Sequence, residues 1–175
     1  NPFASSLIEI LNAPSIRLAE LPATLQRLTD QKSRGFQKPD VPSAMSQHNW
    51  QLVPAAPGER RIALVMVVSD YTASGGATSL TGAKLDAERV AAALRRAGFE
   101  TEMALDLALP EMRTRLRQFT ARSRTHAAAL VYTTGHGVEV NGTIYLLPGD
   151  YPVAARNTAL EARALAHVSS HPDCA

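Results

Sequence analysis

The sequence predicts an α/β fold of three layers, α/β/α, with a mostly parallel central sheet. Three observations lead there. The run Ile62-Ala63-Leu64-Val65-Met66-Val67-Val68 is continuously apolar and of strand length, the pattern of a parallel strand buried on both faces. Helical and strand-like periods then alternate, and strands of one sheet joined through helices take right-handed crossovers. The third strand runs into Gly135-His136-Gly137, and in such sheets the chemistry collects at the carboxyl ends of the strands.

The elements follow in order. Phe3 to Asn12 carries apolar residues at Phe3, Leu7, Ile10 and Leu11, a helical spacing that Pro14 ends. A second helix is expected from about Arg17 to Gln31, with Leu18, Leu21, Leu25 and Leu28 on one face and Pro22 in its first turns, where a missing N–H is tolerated. Ser33 to Ala44 holds Gly35, Pro39 and Pro42 and reads as a loop; Trp50 to Val53 reads as a short strand, with Trp50 a core or sheet-edge aromatic whose indole N–H needs one partner. Residues 54–60, Pro-Ala-Ala-Pro-Gly-Glu-Arg, read as a linker.

After the first buried strand, residues 70–81 form a Gly- and Ser-containing loop. A helix follows over 81–97, with Ala83, Ala87, Val90, Ala91 and Leu94 on its core face and Gly98 as its stop. Phe99 to Met103 alternates like a half-buried strand. Pro110 opens a helix with Met112, Leu116 and Phe119 at i, i+4 and i+7, basic on its outer side, which reads as a solvated face. Ala127 to Tyr132 is the third buried strand.

Composition removes several classes. The 175 residues are 45% apolar and 19% charged with a net charge of +2, which suits one globular domain and argues neither for nucleic acid nor for a membrane surface. No run of about 18 apolar residues is present to span a bilayer. No secretory leader pattern opens the chain, whose first residue is Asn1. The single cysteine, Cys174, excludes an internal disulfide. His167, His171 and Cys174 are ligand types without a second pair, so no metal site is assigned. Gly75-Gly76 lacks the Lys-Ser/Thr ending and Gly spacing of a phosphate loop.

A histidine between two glycines past a strand sits on backbone that can turn sharply and leave room for a ligand, and imidazole exchanges protons near neutrality; the other reading is a loop histidine that caps the strand. The ordered series Arg61-Ile62-Ala63-Leu64-Val65, Leu80-Thr81-Gly82-Ala83-Lys84-Leu85-Asp86-Ala87, Ala97-Gly98-Phe99-Glu100, Leu130 to Gly137 and Gly142 to Asp150 resembles the large-subunit half of a bacterial caspase-like, metacaspase-type cysteine peptidase. The resemblance covers about residues 60–150. It implies a caspase-like fold and a Cys–His dyad with His136 as general base and acid, the Gly137 N–H in the oxyanion hole, and cleavage of peptides or proteins after Arg or Lys, in a cytoplasmic setting. It also implies that Asp86, in the first turn of the helix after strand one, receives the basic side chain and that Thr134 lines the same pocket; Asp86 equally suits a helix N-terminus as a charge.

Cys174 is the sole candidate nucleophile. It departs from the family pattern: it lies 38 residues after His136 rather than about 50, no apolar strand precedes it, and Asp173 stands one residue before it rather than two. Asn1-Pro2-Phe3-Ala4-Ser5-Ser6-Leu7 resembles what the family places after its catalytic Cys and Arg. Leu18-Ala19-Glu20-Leu21 and Arg34-Gly35-Phe36-Gln37-Lys38-Pro39 resemble its small-subunit helix and following loop. Residues 1–53 thus read as a small-subunit-like segment placed before a large-subunit-like segment at 61–175, which would bring Asn1 near Cys174. An inactive pseudo-peptidase acting as a binding or regulatory module is the alternative. No cofactor is expected; some relatives need calcium, but no dedicated acidic cluster appears here. Self-association and self-processing stay open.

Overall fold

Asn1 caps the first helix, α1 (Pro2–Leu11), its side-chain oxygen accepting from Phe3 N at 2.9 Å in the manner that satisfies an orphan amide of a helix start. The computed structural model to which this belongs describes residues 1–40, 49–74, 77–141, 143–152 and 164–169. They divide into two compact units, the first built from 1–63, 85–102 and 125–130 and the second from the remaining described segments.

In the first unit α1 packs on α2 (Leu21–Ser33), burying Leu7, Ile10 and Leu11 from one helix and Leu21 and Leu25 from the other. Lys32 Nζ reaches Glu9 Oε2 at 2.8 Å between them. The helix expected from Arg17 starts four residues later. Ile16 and Arg17 instead form β1 (Ile16–Arg17), antiparallel to β2 (Gln51–Val53). Leu18 N donates to Trp50 O at 2.7 Å, and Leu18–Glu20 is a single 3-10 turn whose Glu20 carboxylate accepts from Arg17 N at 3.1 Å. Pairing with β2 therefore outcompetes the helical register of these residues, a tertiary override of a local pattern.

β3 (Arg61–Val67) is buried at all seven positions, as its unbroken apolar run requires. It is the middle strand of a parallel three-stranded sheet in the order β4-β3-β5, with β4 (Phe99–Leu105) and β5 (Ala128–Thr134) on either side. The α/β class and parallel sheet expected from the sequence are thus present. The division between units runs across these strands, so each unit holds one half of each. α3 (Ala83–Arg96) buries Ala87, Val90, Ala91 and Leu94, the face its periodicity marks, and stops before Gly98. β5 is less buried than expected: Val131 is 38% exposed and Tyr132 alone in the strand is buried. Its place at the edge of the described sheet accounts for this, since one side has no neighbour strand there.

Arg61 opens β3 from inside the first unit. Its side chain is wholly buried and donates to the carbonyls of Leu52 (2.5 Å) and Gln51 (2.8 Å) and to Glu59 Oε2 (2.8 Å). The guanidinium lies 4.3 Å from the Trp50 ring centroid, a cation–π contact strengthened by desolvation. Trp50 Nε1 donates to Glu59 Oε1 at 2.8 Å, the one partner its indole needs, and Ala56 N donates to Glu59 Oε2 at 3.1 Å. One carboxylate thus ties together β2, the turn over 54–60 and the start of β3.

The second unit contains α4 (Leu109–Ser123), with Leu109, Met112 and Phe119 buried, lying against β8 (Leu165–Ser169). It also contains an antiparallel sheet in the order β6-β7-β8, with β6 (Gly137–Val140) and β7 (Thr143–Leu146). The expected strand series did not include this sheet. Its hairpin had a signal in Asn141-Gly142, a dipeptide suited to a two-residue turn; Asn141 has φ +51° and Val140 faces Thr143 across the turn.

The hydrogen bond from Arg61 holds the Glu59 carboxyl below its ordinary value of 4.5. A carboxyl whose pKa is depressed on folding adds stability that is present above the unfolded value and lost as pH falls through the folded one. The thermal midpoint is therefore expected to drop below about pH 4.5. Glu59→Gln, which leaves Arg61 buried without its counter-charge, is expected to cost about 3 kcal/mol at pH 7 and to flatten that acid limb. A wild-type limb retained in Glu59→Gln would place the acid sensitivity elsewhere.

Candidate active site

The site is assembled within the second unit where β3, β5 and β7 end. Val68 N donates to Thr134 O (2.9 Å) and Asp106 N to Val67 O (2.8 Å), extending both edges of the sheet past β3. There Asp106, with φ +49°, turns its carboxylate onto the chain leaving β3 and accepts from Ser69 N (2.6 Å), Asp70 N (3.0 Å) and Ser69 Oγ (3.0 Å). Two consecutive amides that have left the ladder are satisfied this way. Asp70 accepts from Thr72 N at 2.9 Å, and that bond holds its carboxyl below the ordinary range. Tyr71 N donates to Ser79 Oγ (3.0 Å), and Leu80 N to Ser69 O (2.8 Å), so 77–80 is folded back on 69–71.

Tyr71 is 1% exposed and points at the Gly135-His136-Gly137 turn. Its hydroxyl accepts from His136 N at 2.7 Å and donates to Leu147 O at 3.1 Å. Its ring centroid is 4.6 Å from that of the imidazole, tilted by 59°. Burial pushes the Tyr71 phenol up, so the hydroxyl keeps the proton it donates. His136 itself is half-buried, and its Nε2 lies 2.7 Å from Thr78 O. A carbonyl only accepts, so Nε2 carries a proton, and in the neutral ring the basic lone pair is then on Nδ1. Among the described residues Nδ1 has no hydrogen-bond partner.

Gly137 is the first residue of β6. Leu147 N donates to His136 O at 2.9 Å, which makes His136 and Leu147 a hydrogen-bonded pair. Gly137 and Leu146 come next in the register, and ladder bonds alternate in an antiparallel pair. The Gly137 N–H is therefore directed away from β7. An imidazole with one nitrogen fixed, next to an amide N–H outside the ladder, can move a proton and stabilise a nearby oxyanion.

The other sequence-derived residues are distributed as follows. Thr134 is the last residue of β5, in the second unit and two before His136. Asp86 lies in the first unit, in the first turn of α3, 18% exposed, and accepts from the Asn1 backbone nitrogen at 3.0 Å. Cys174, His171 and the Gly75-Gly76 pair lie outside the described residues, so the juxtaposition expected of Asn1 and Cys174 does too. Asp70, Asp106 and Asp150 border a depression of about 230 Å3, but among the described residues no group of three His, Cys, Asp or Glu side chains is arranged to hold a metal ion. Among them no helix is long and apolar enough to cross a membrane. Tyr71, Thr78, Asp106 and Gly149 were not singled out from the sequence; each acts through a partner 36 or more residues away, or through its backbone.

Two glycines leave the space this arrangement needs. A Cβ on Gly135 would sit 2.9 Å from both Tyr71 Oη and Leu146 Cδ1 and 3.2 Å from Val68 Cβ; one on Gly149 would collide with the Asp70 backbone carbonyl. Gly149→Ala is expected to cost about 2 kcal/mol or more, since backbone must shift. Gly82→Ala, with nothing within 4 Å, is expected to be close to neutral. Thermal unfolding of the two variants checks this; equal midpoints would mean that residues 149 and 70 are not packed as described.

The caspase domain family, Peptidase C14, matches the chain over residues 60–173, more than half of its length. No curated protein matches it.

Proposed function

Because the chain belongs to the caspase-domain family of cysteine peptidases, we propose that it is a cysteine endopeptidase that hydrolyses peptide bonds after Arg or Lys. The observation that carries this reading is the His136 imidazole with Nε2 engaged by Thr78 O and Nδ1 left as base. His136 takes the thiol proton of Cys174 onto Nδ1, and the thiolate attacks the scissile carbonyl carbon. The Gly137 N–H donates to the oxyanion. His136 returns the proton to the leaving amine as the C–N bond breaks, leaving a thioester. Water, deprotonated by the same imidazole, hydrolyses the thioester and restores the thiol.

Selectivity comes from Asp86, whose carboxylate pairs with the guanidinium or ammonium of the residue before the cleaved bond, with Thr134 lining that pocket. Substrates are peptides or proteins. The reading assigns no metal or cofactor to the chemistry.

Fluorogenic peptides ending in Arg or Lys test this. Turnover is expected with the intact protein, none above background in His136→Ala or Cys174→Ala. Asp86→Asn is expected to lower kcat/KM on Arg peptides about 10- to 100-fold, the value of one charge-assisted pair. No turnover by the intact protein favours the inactive, binding-module reading, and turnover unchanged in His136→Ala would falsify the dyad.

A further inference from the structure

We propose that Tyr71 is the positioning residue of this site: its hydroxyl, inserted between the His136 N–H and the Leu147 C=O, sets where the imidazole sits and so keeps Nε2 on the Thr78 carbonyl. The inference rests on the peptidase reading for its kinetic consequence and on geometry alone for its structural one.

The register carries the argument. In a hydrogen-bonded antiparallel pair the two residues exchange two bonds. His136 and Leu147 exchange one directly, Leu147 N to His136 O at 2.9 Å. The second is opened by an oxygen: His136 N donates to Tyr71 Oη at 2.7 Å, and Tyr71 Oη donates to Leu147 O at 3.1 Å. The phenol uses its lone pair on one strand and its proton on the other, so its oxygen stands where the second ladder bond of this pair would form.

The surroundings are fitted to that insertion. The Tyr71 ring lies against the imidazole at 4.6 Å, and Gly135 leaves room for the hydroxyl, to which a Cβ would come within 2.9 Å. Tyr71 is held from behind by Ser79 Oγ on its own amide (3.0 Å) and by the Asp106 carboxylate on the two amides before it. Thr78, whose carbonyl receives Nε2, adjoins Ser79. Tyr71 and the Thr78 carbonyl therefore sit on one pinned loop, and the imidazole is fixed on two sides from it.

Removing the hydroxyl lets the interrupted ladder bond close directly, from His136 N to Leu147 O. A residue that only stabilised the fold would leave the imidazole where it is. A positioning residue would release it from Thr78 while costing little stability, since both backbone groups find each other.

The test is Tyr71→Phe in the full chain, read by the ring 15N signals of His136, which report the tautomer and are assigned by their loss in His136→Ala. The wild-type ring is expected to show one tautomer with the proton on Nε2, and Tyr71→Phe a mixture of tautomers, with a thermal midpoint within a few degrees. On Arg-ended peptides kcat is expected to fall about tenfold with KM within twofold, roughly the value of one hydrogen bond made to the catalytic geometry. Ring signals unchanged in Tyr71→Phe overturn the proposal, as does a variant that fails to fold, which would make Tyr71 a structural residue. Absence of turnover in the wild type, with the ring signals still responding to Tyr71→Phe, overturns the peptidase reading and leaves the positioning role standing.

Discussion

A phenolic oxygen lodged between two backbone groups that would otherwise bond to each other, His136 N–H and Leu147 C=O, is the constraint on which the site depends. Everything that fixes this oxygen fixes the histidine. The fully buried β3 delivers the chain to Val68, Asp106 satisfies the amides of Ser69 and Asp70 as they leave the sheet, and Tyr71 follows with no freedom to turn away. Gly135 and Gly149 are the matching omissions, places where a side chain would fill space already occupied by Tyr71 or by the Asp70 backbone. The imidazole is then the last member of a series of contacts, each determined by the one before it.

The two units solve the burial of polar groups differently. In the first, a charged side chain is taken fully inside: Arg61 meets two carbonyls, the Glu59 carboxylate and the face of Trp50. Removing one member of such a cluster leaves a buried charge without compensation. In the second, the buried group is neutral. Burial raises the Tyr71 pKa, so the phenol stays a donor through the neutral range and adds no charge beside His136. A neutral neighbour suits a base that must hold and release a proton in turn.

Much of this could be read from the sequence where the physics is local. The unbroken apolar run of β3, the core face of α3 at Ala87, Val90, Ala91 and Leu94, and the Gly-His-Gly turn past β5 each follow from periodicity or composition within a short window, and the α/β class follows from their order. The misses share one cause, dependence on distant partners. Arg17 looks like the start of a helix until β2 supplies a strand for Ile16 and Arg17 to pair with. β5 looks buried until its place at the edge of the sheet formed by the described residues is known. Nothing near Tyr71 marks it apart from other aromatics, since its partner lies 65 residues on, and Thr78 acts through a carbonyl that every residue has. The β6-β7 hairpin is a different case, since Asn141-Gly142 is a local turn dipeptide that lies within a short window of the sequence.

The central claim is that His136 serves as the base for a cysteine thiol, and the presence of a single cysteine in the chain makes that claim directly measurable. A thiol paired with an imidazole is held partly as thiolate and alkylates faster at neutral pH than a free thiol, whose pKa is near 8.5. The decisive measurement is the rate at which iodoacetamide modifies Cys174 at pH 6.5, in the intact protein and in His136→Ala. The account predicts a fast reaction that slows about tenfold or more when the imidazole is removed. Equal rates in the two proteins would contradict it.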